Sequence, residues 1–145
     1  MAEIKPNYDT KRKKLAEIIP LASPFTVYIE QTKYCNFKCF YCIHSTRDEA
    51  DGEFRALGHR MQHMDEGFYE KIIRELKEFP QDGVKRIVFS GLGEPLMNPR
   101  LPEYVRMAVD AQIAGRVEVI TNGLLLTPEK SRALVEAGIT NINIS

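Results

Sequence analysis

Four short apolar runs, each ending in a polar turn and separated by stretches of helical period, limit the fold of this chain more than any other feature. In residues 25–29 (FTVYI), Phe25, Val27 and Ile29 alternate with Thr26 and Tyr28, the period of a strand. Val84–Phe89 (VKRIVF), residues 117–120 and residues 139–144 (ITNINI) read the same way. From Asp65, a plausible N-cap, the period becomes helical, with Phe68, Ile72, Ile73, Leu76 and Phe79 on one face and a stop at Pro80. Asn98-Pro99 is a cap followed by a first-turn proline, with Leu101, Val105, Ala108 and Val109 turned inward. Thr127-Pro128 repeats that signal, with Leu134 and Val135 inward and Gly138 at the end. Strands alternating with helices predict a parallel α/β sheet with right-handed crossovers.

Such sheets build sites beyond the C-terminal ends of their strands. Three loops fall there. The first strand runs into Thr32–Ser45 (TKYCNFKCFYCIHS), the second into Ser90-Gly91-Leu92-Gly93-Glu94-Pro95, and the third into Thr121-Asn122-Gly123. Their convergence would put a metal centre, a glycine-rich turn with a carboxylate and a polar amide turn around one pocket. Taken alone, Gly-Leu-Gly-Glu-Pro also reads as a turn with a solvated acid, and Asn122-Gly123 is a common turn dipeptide.

All three cysteines, Cys35, Cys39 and Cys42, lie in the first loop as C-x3-C-x2-C. Three thiolates are one too few for a closed structural zinc site and one too many for a disulfide. On a 4Fe–4S cluster they would leave one iron open to a substrate or cofactor. The alternative is a non-catalytic zinc or interaction module that takes His44 as its fourth ligand. Burial as small hydrophobic side chains accounts poorly for cysteines bracketed by Asn36 and Lys38.

Composition narrows the rest. Twenty basic and 20 acidic residues cancel, so no net positive charge draws the chain to nucleic acid. No apolar run approaches the length of a membrane span, and no signal peptide is evident, which suggests the cytosol, where clustered cysteines bind metal rather than pair. Residues 1–24 read as a polar arm, basic from Lys11 to Lys14, with a short helix around Leu15, Ile18 and Ile19 before Pro20 and Pro24. Residues 46–63 read as a long polar loop or insertion. In it His59 and His63 are expected to be solvated, although their spacing would suit a metal-binding helix face.

Residues 25–145 resemble the N-terminal part of the radical S-adenosylmethionine (SAM) enzymes. The resemblance rests on Cys35, Cys39 and Cys42, matching the CxxxCxxC signature, with aromatic Tyr41 before the last cysteine. Gly93-Glu94-Pro95 matches the family's glycine–glutamate motif after the second strand. The resemblance implies a partial (β/α)6 barrel of TIM type, of which about four strands are present, so that the chain is expected to be a piece of a longer protein. It implies a 4Fe–4S cluster held by Cys35, Cys39 and Cys42 whose open iron chelates the amino and carboxylate groups of SAM. Tyr41 would lie near the adenine, and Glu94, with backbone around Gly93, would accept from the methionine ammonium. Asn122 and Ser145 would lie along the SAM pocket. The implied chemistry is reductive cleavage of SAM to methionine and a 5′-deoxyadenosyl radical that abstracts hydrogen from a substrate, with a flavodoxin or ferredoxin as electron donor. The spacing around Cys42–Ser45 and the polar insertion resemble the branch that modifies peptides, builds cofactors or alters sugars, often with a C-terminal SPASM extension.

Overall fold

β-branched runs become strands and helix-period runs become helices in the order the sequence sets them. The structure, a computed structural model, describes residues 14–80 and 84–145. Strands β1 (Thr26–Ile29), β2 (Val84–Phe89), β3 (Ala114–Thr121) and β4 (Asn141–Ile144) form one parallel sheet in the order β1-β2-β3-β4. Helices α1 (Glu53–Ala56), α2 (Glu66–Leu76), α3 (Leu101–Asp110) and α4 (Pro128–Glu136) lie between them. Ile29 pairs with Phe89, Phe89 with Val119, and Thr121 with Ile144, so all four strands end nearly level. That register brings the loops following the strands to one edge.

Because strand side chains alternate between faces, each strand supplies one buried row. Val27, Ile29, Ile87, Phe89, Val117, Val119 and Ile142 pack with the inward residues of α2, α3 and α4 in a single core. The opposite face carries a charged cluster: Arg86 and Arg116 stand 3.8 Å and 3.4 Å from the buried carboxylate of Glu118, and Arg86 Nε donates to Thr26 Oγ1 at 2.8 Å.

The helices differ from the sequence expectation in which residues they bury. On α2 the inward stripe is Tyr69, Ile73 and Leu76, while Phe68 is 54% and Phe79 38% exposed. Tyr69 can be fully buried because its hydroxyl donates to Tyr104 O at 2.7 Å, and the two rings stack at 4.2 Å. On α4, Leu134 and Ala137 face inward and Val135 is 67% exposed. Asn98 does not cap α3. Its Oδ1 accepts from Arg100 N and its Nδ2 donates to Gln31 O, and α3 begins only at Leu101 with Pro102 in its first turn. Asp65 and Thr127 cap as expected, accepting from Phe68 N at 3.1 Å and Lys130 N at 3.3 Å.

Residues 46–63 are more ordered than an insertion. A 3-10 turn at Ile43–Thr46 leads to α1, and Phe54 is buried between the rings of His44 and His59 at 5.1 Å and 5.4 Å. The chain then returns antiparallel to residues 31–33, with Lys33 N donating to Gln62 O and Met64 N to Gln31 O. His59 and His63 share no helix face. Each is paired through Nδ1, His59 with Lys33 Nζ at 2.7 Å and His63 with Thr32 Oγ1 at 2.8 Å. At the start of the chain Leu15–Glu17 form a 3-10 turn; most of the expected basic run lies outside the described residues.

Tyr69→Phe is expected to lower the stability of the fold by ~1 kcal/mol, the net value of one hydrogen bond, at unchanged secondary structure. Urea unfolding followed by circular dichroism checks this.

Candidate functional site

The cysteine loop leaves β1 and folds back on itself. Cys42 N donates to Cys39 O and Ser45 N to Cys42 O, both at 2.9 Å, so Cys39 and Cys42 sit on consecutive turns rather than along an extended strand. All three are half-buried thiols. Phe37 N–H points at Cys35 Sγ at 3.5 Å. Burial nevertheless pushes the Cys35 thiol up, so metal uptake there must displace a proton and is favoured as pH rises. Tyr41 is 79% exposed, and its hydroxyl interacts with the Cys39 sulfur, which raises its own pKa. Phe40, 90% exposed, stands edge-on to Tyr41 at 5.1 Å.

The glycine–glutamate loop is pressed against this segment. Glu94 N donates to Tyr34 O at 2.8 Å. Gly93 makes that approach possible: a Cβ there would stand 2.1 Å from Thr32 O and 2.9 Å from Tyr34 O. One turn earlier, Leu92 N donates to Glu30 Oε1 at 2.6 Å, which fixes the other limb of the loop.

Glu94 joins the remaining loop to these two. Its residue is 3% exposed, and its Oε1 accepts from Thr121 Oγ1 at 2.6 Å and Leu96 N at 3.0 Å. Its Oε2 accepts from Asn122 N at 2.8 Å. Asn122 Nδ2 then donates to Asn36 Oδ1, inside the cysteine loop, at 2.9 Å. Gly123 takes a φ of +77°, which bears out the turn reading of Asn122-Gly123. Ser145 N donates to Thr121 O at 3.0 Å, at the end of β4 on the same edge.

The three loops therefore converge as the sequence predicts, and hydrogen bonds connect them. Sequence reasoning missed Glu30, Asn36 and Arg47. Glu30 directly follows a strand and Asn36 lies between two cysteines, so position alone marked both; Arg47 carried no such signal. A cavity of about 460 Å³ lined by Glu30, Lys33, His63, Met64 and Asp65, among others, opens beside this frame but includes none of the cysteines, Glu94 or Asn122.

The donor set suits an iron–sulfur cluster better than a single zinc ion. Among the described residues, no three Cys, His, Asp or Glu side chains stand close enough together to hold one metal ion. A cluster offers separate irons, which suits thiolates spread around a loop. His44 is 1% exposed and packs on Phe54, and burial lowers its pKa, with Arg47 adding to the effect. For a small molecule, the frame offers Asn36 Nδ2, buried and without a hydrogen-bond partner among the described residues. A buried donor in that state suits an acceptor brought by a bound group.

Comparison with known proteins agrees with this geometry. Residues 29–145 match the family model of the Radical SAM superfamily. A tungsten-containing aldehyde ferredoxin oxidoreductase cofactor-modifying protein of Pyrococcus furiosus is 31% identical over 119 residues, 82% of this chain and 30% of that protein. The GTP 3′,8-cyclase of Chlorobaculum tepidum is 36% identical over 119 residues, 82% of this chain and 32% of the enzyme. The crystal structure of BtrN in complex with AdoMet and 2-DOIA superposes with a TM-score of 0.68 at 27% identity, covering 83% of this chain and 44% of that one. The chain thus spans about a third of the length of these curated relatives. Its open four-stranded parallel sheet corresponds to part of the barrel of such enzymes. By fold, by motif and by relatives, the chain belongs to the radical SAM superfamily, whose members use a 4Fe–4S cluster and SAM.

Proposed function

We propose that this chain is the cluster- and SAM-binding part of a radical SAM enzyme, with Cys35, Cys39 and Cys42 as the cluster ligands. The observation that carries the reading is the Glu94-centred frame, which ties the cysteine loop, the glycine–glutamate loop and the Thr121-Asn122-Gly123 turn together. When bound, the cluster supplies one electron to SAM, whose carbon–sulfur bond breaks to give methionine and a 5′-deoxyadenosyl radical that takes hydrogen from substrate.

The chain's own residues hold and orient. A carboxylate offers about four lone-pair sites, and Glu94 spends three on Leu96, Thr121 and Asn122. Acceptance from the SAM ammonium therefore falls to its remaining site and to backbone near Gly93, while the internal bonds keep that acceptor in place. Tyr41, exposed beside Cys39, would flank the adenine, and Asn122 and Ser145 would line the pocket along the edge. The substrate would be a peptide, a cofactor precursor or a sugar; relatives named as a cofactor-modifying protein and a GTP cyclase favour the cofactor precursor. A flavodoxin or ferredoxin would supply the electron. No helix among the described residues is long and apolar enough to cross a membrane, and a reduced cysteine loop suits the cytoplasm.

Anaerobic reconstitution with iron and sulfide, followed by SAM and dithionite, should give a brown protein that releases 5′-deoxyadenosine. Glu94→Ala should release at least about tenfold less, since it removes a charged group bonded within the site. A brown parent protein that makes none would refute SAM cleavage by this chain while leaving the cluster assignment standing.

A further inference from the structure

Among the described residues, Arg47 is the one charged side chain from outside the cysteine loop that hydrogen-bonds to the loop's backbone. It directly follows the 3-10 turn at Ile43–Thr46, and its side chain is only 16% exposed. A single guanidinium nitrogen, Nη1, donates to Cys35 O at 2.5 Å and to Phe37 O at 3.0 Å. Its Nε lies 3.7 Å from Asp48, which also pairs with Lys38 between the first two cysteines. The Lys38–Asp48 pair is largely exposed and contributes little. Arg47 differs because its charge is half-enclosed and its acceptors are main-chain groups.

Both carbonyls that flank the Phe37 amide are held by Arg47. The Phe37 amide between them is left to face Cys35 Sγ. Amide donors at the sulfurs and nearby positive charge both favour the more reduced, more negative state of an iron–sulfur cluster.

We propose that Arg47 is a positioning residue for the cluster: it braces the Cys35–Phe37 turn and raises the cluster's reduction potential. The inference rests on the assignment of Cys35, Cys39 and Cys42 as cluster ligands. It predicts two separable effects, one from the fork of hydrogen bonds and one from the charge. Arg47→Gln removes the charge and weakens the fork. Arg47→Lys keeps the charge, but its stem ends one bond short of the Nη1 position that reaches both carbonyls.

The test compares reconstituted parent, Arg47→Gln, Arg47→Lys and the control Lys38→Gln. The readouts are the midpoint potential from an anaerobic titration followed by electron paramagnetic resonance, and the rate of iron loss to a chelator. Arg47→Gln should shift the potential to a more negative value and lose iron about 10- to 100-fold faster, the usual range for residues that support metal ligands. Arg47→Lys should lose iron faster at a near-parental potential, and Lys38→Gln should match the parent in both. A purely structural role would speed iron loss without moving the potential, and that outcome overturns the charge effect. Parental potential and parental loss rate in Arg47→Gln overturn the whole inference. Should Arg47→Gln fail to fold, Arg47→Lys decides alone, because parental behaviour in both readouts overturns the brace. A parent that takes up no cluster overturns the cysteine assignment instead, and this inference with it.

Discussion

Replacing any one of Cys35, Cys39 or Cys42 by alanine is expected to take the reconstituted protein from about four irons per chain to nearly none. Replacing His44 by alanine should leave the iron in place. The contrast follows from where the four side chains stand. The cysteines are half-buried in one loop at the sheet edge, and Phe37 N–H already faces one sulfur. His44, in the turn that closes that loop, is 1% exposed with its ring against Phe54. Its loss is a packing loss, worth roughly 2–4 kcal/mol by analogy with other large-to-small core changes. The pH dependence has a definite sign. Burial lowers the pKa of His44 in the folded state, so the unfolded chain binds the extra proton first. His44 therefore makes the parent less stable as pH falls below its unfolded value, about 6.5, and His44→Ala should lose that part of the acid sensitivity. Iron and sulfide analysis of the five proteins, with melting curves at two pH values, separates ligand from core. A His44→Ala protein that loses its metal while keeping its fold would restore the zinc alternative.

The strand–helix order, the parallel sheet and the three loops at one edge were legible because each rests on a local signal: β-branched alternation, caps and strand-ending glycines. Burial on individual helix faces was less so. Phe68 looks more apolar than Tyr69, yet Tyr69 is the buried residue because a carbonyl of α3 receives its hydroxyl. That partner is 35 residues away and has no trace in the local pattern. Val135 was misplaced for a similar reason, since Leu134 and Ala137 already fill the inward side of α4. Asn98 carries a true capping signal, but its amide reaches across to Gln31 and the helix starts later. Residues 46–63 lack a period because their order comes from Phe54 packing between two histidines and from a short antiparallel return along residues 31–33. At the sheet edge, the loops that the cysteine spacing and Gly93-Glu94-Pro95 singled out do converge. What the sequence could not supply was the direction of the Glu94 side chain, which points into the frame and is bonded there by three donors.

Gly93→Ala is the substitution expected to cost the frame most. An added methyl would stand 2.1 Å from Thr32 O and 2.8 Å from its carbonyl carbon, and these are backbone atoms that no rotamer change can move. To admit it, the glycine–glutamate loop must withdraw from residues 32–34. Withdrawal breaks the Glu94 N to Tyr34 O bond, and it pulls the Glu94 carboxylate away from Thr121 and Asn122. Asn122 in turn holds Asn36, so one methyl group loosens both neighbouring loops. A cost of at least ~3 kcal/mol is expected, the upper end for overpacking. The loss should show as a lower urea midpoint with little change in slope, because the sheet and its helices keep their own core. Iron–sulfur uptake should persist, since none of the bonds lost ends on a cysteine, whereas SAM binding, which the frame holds, should weaken by more than about tenfold. Isothermal titration of the reconstituted variant with SAM is the deciding measurement. Parental affinity at a lowered urea midpoint would show that the frame serves stability alone.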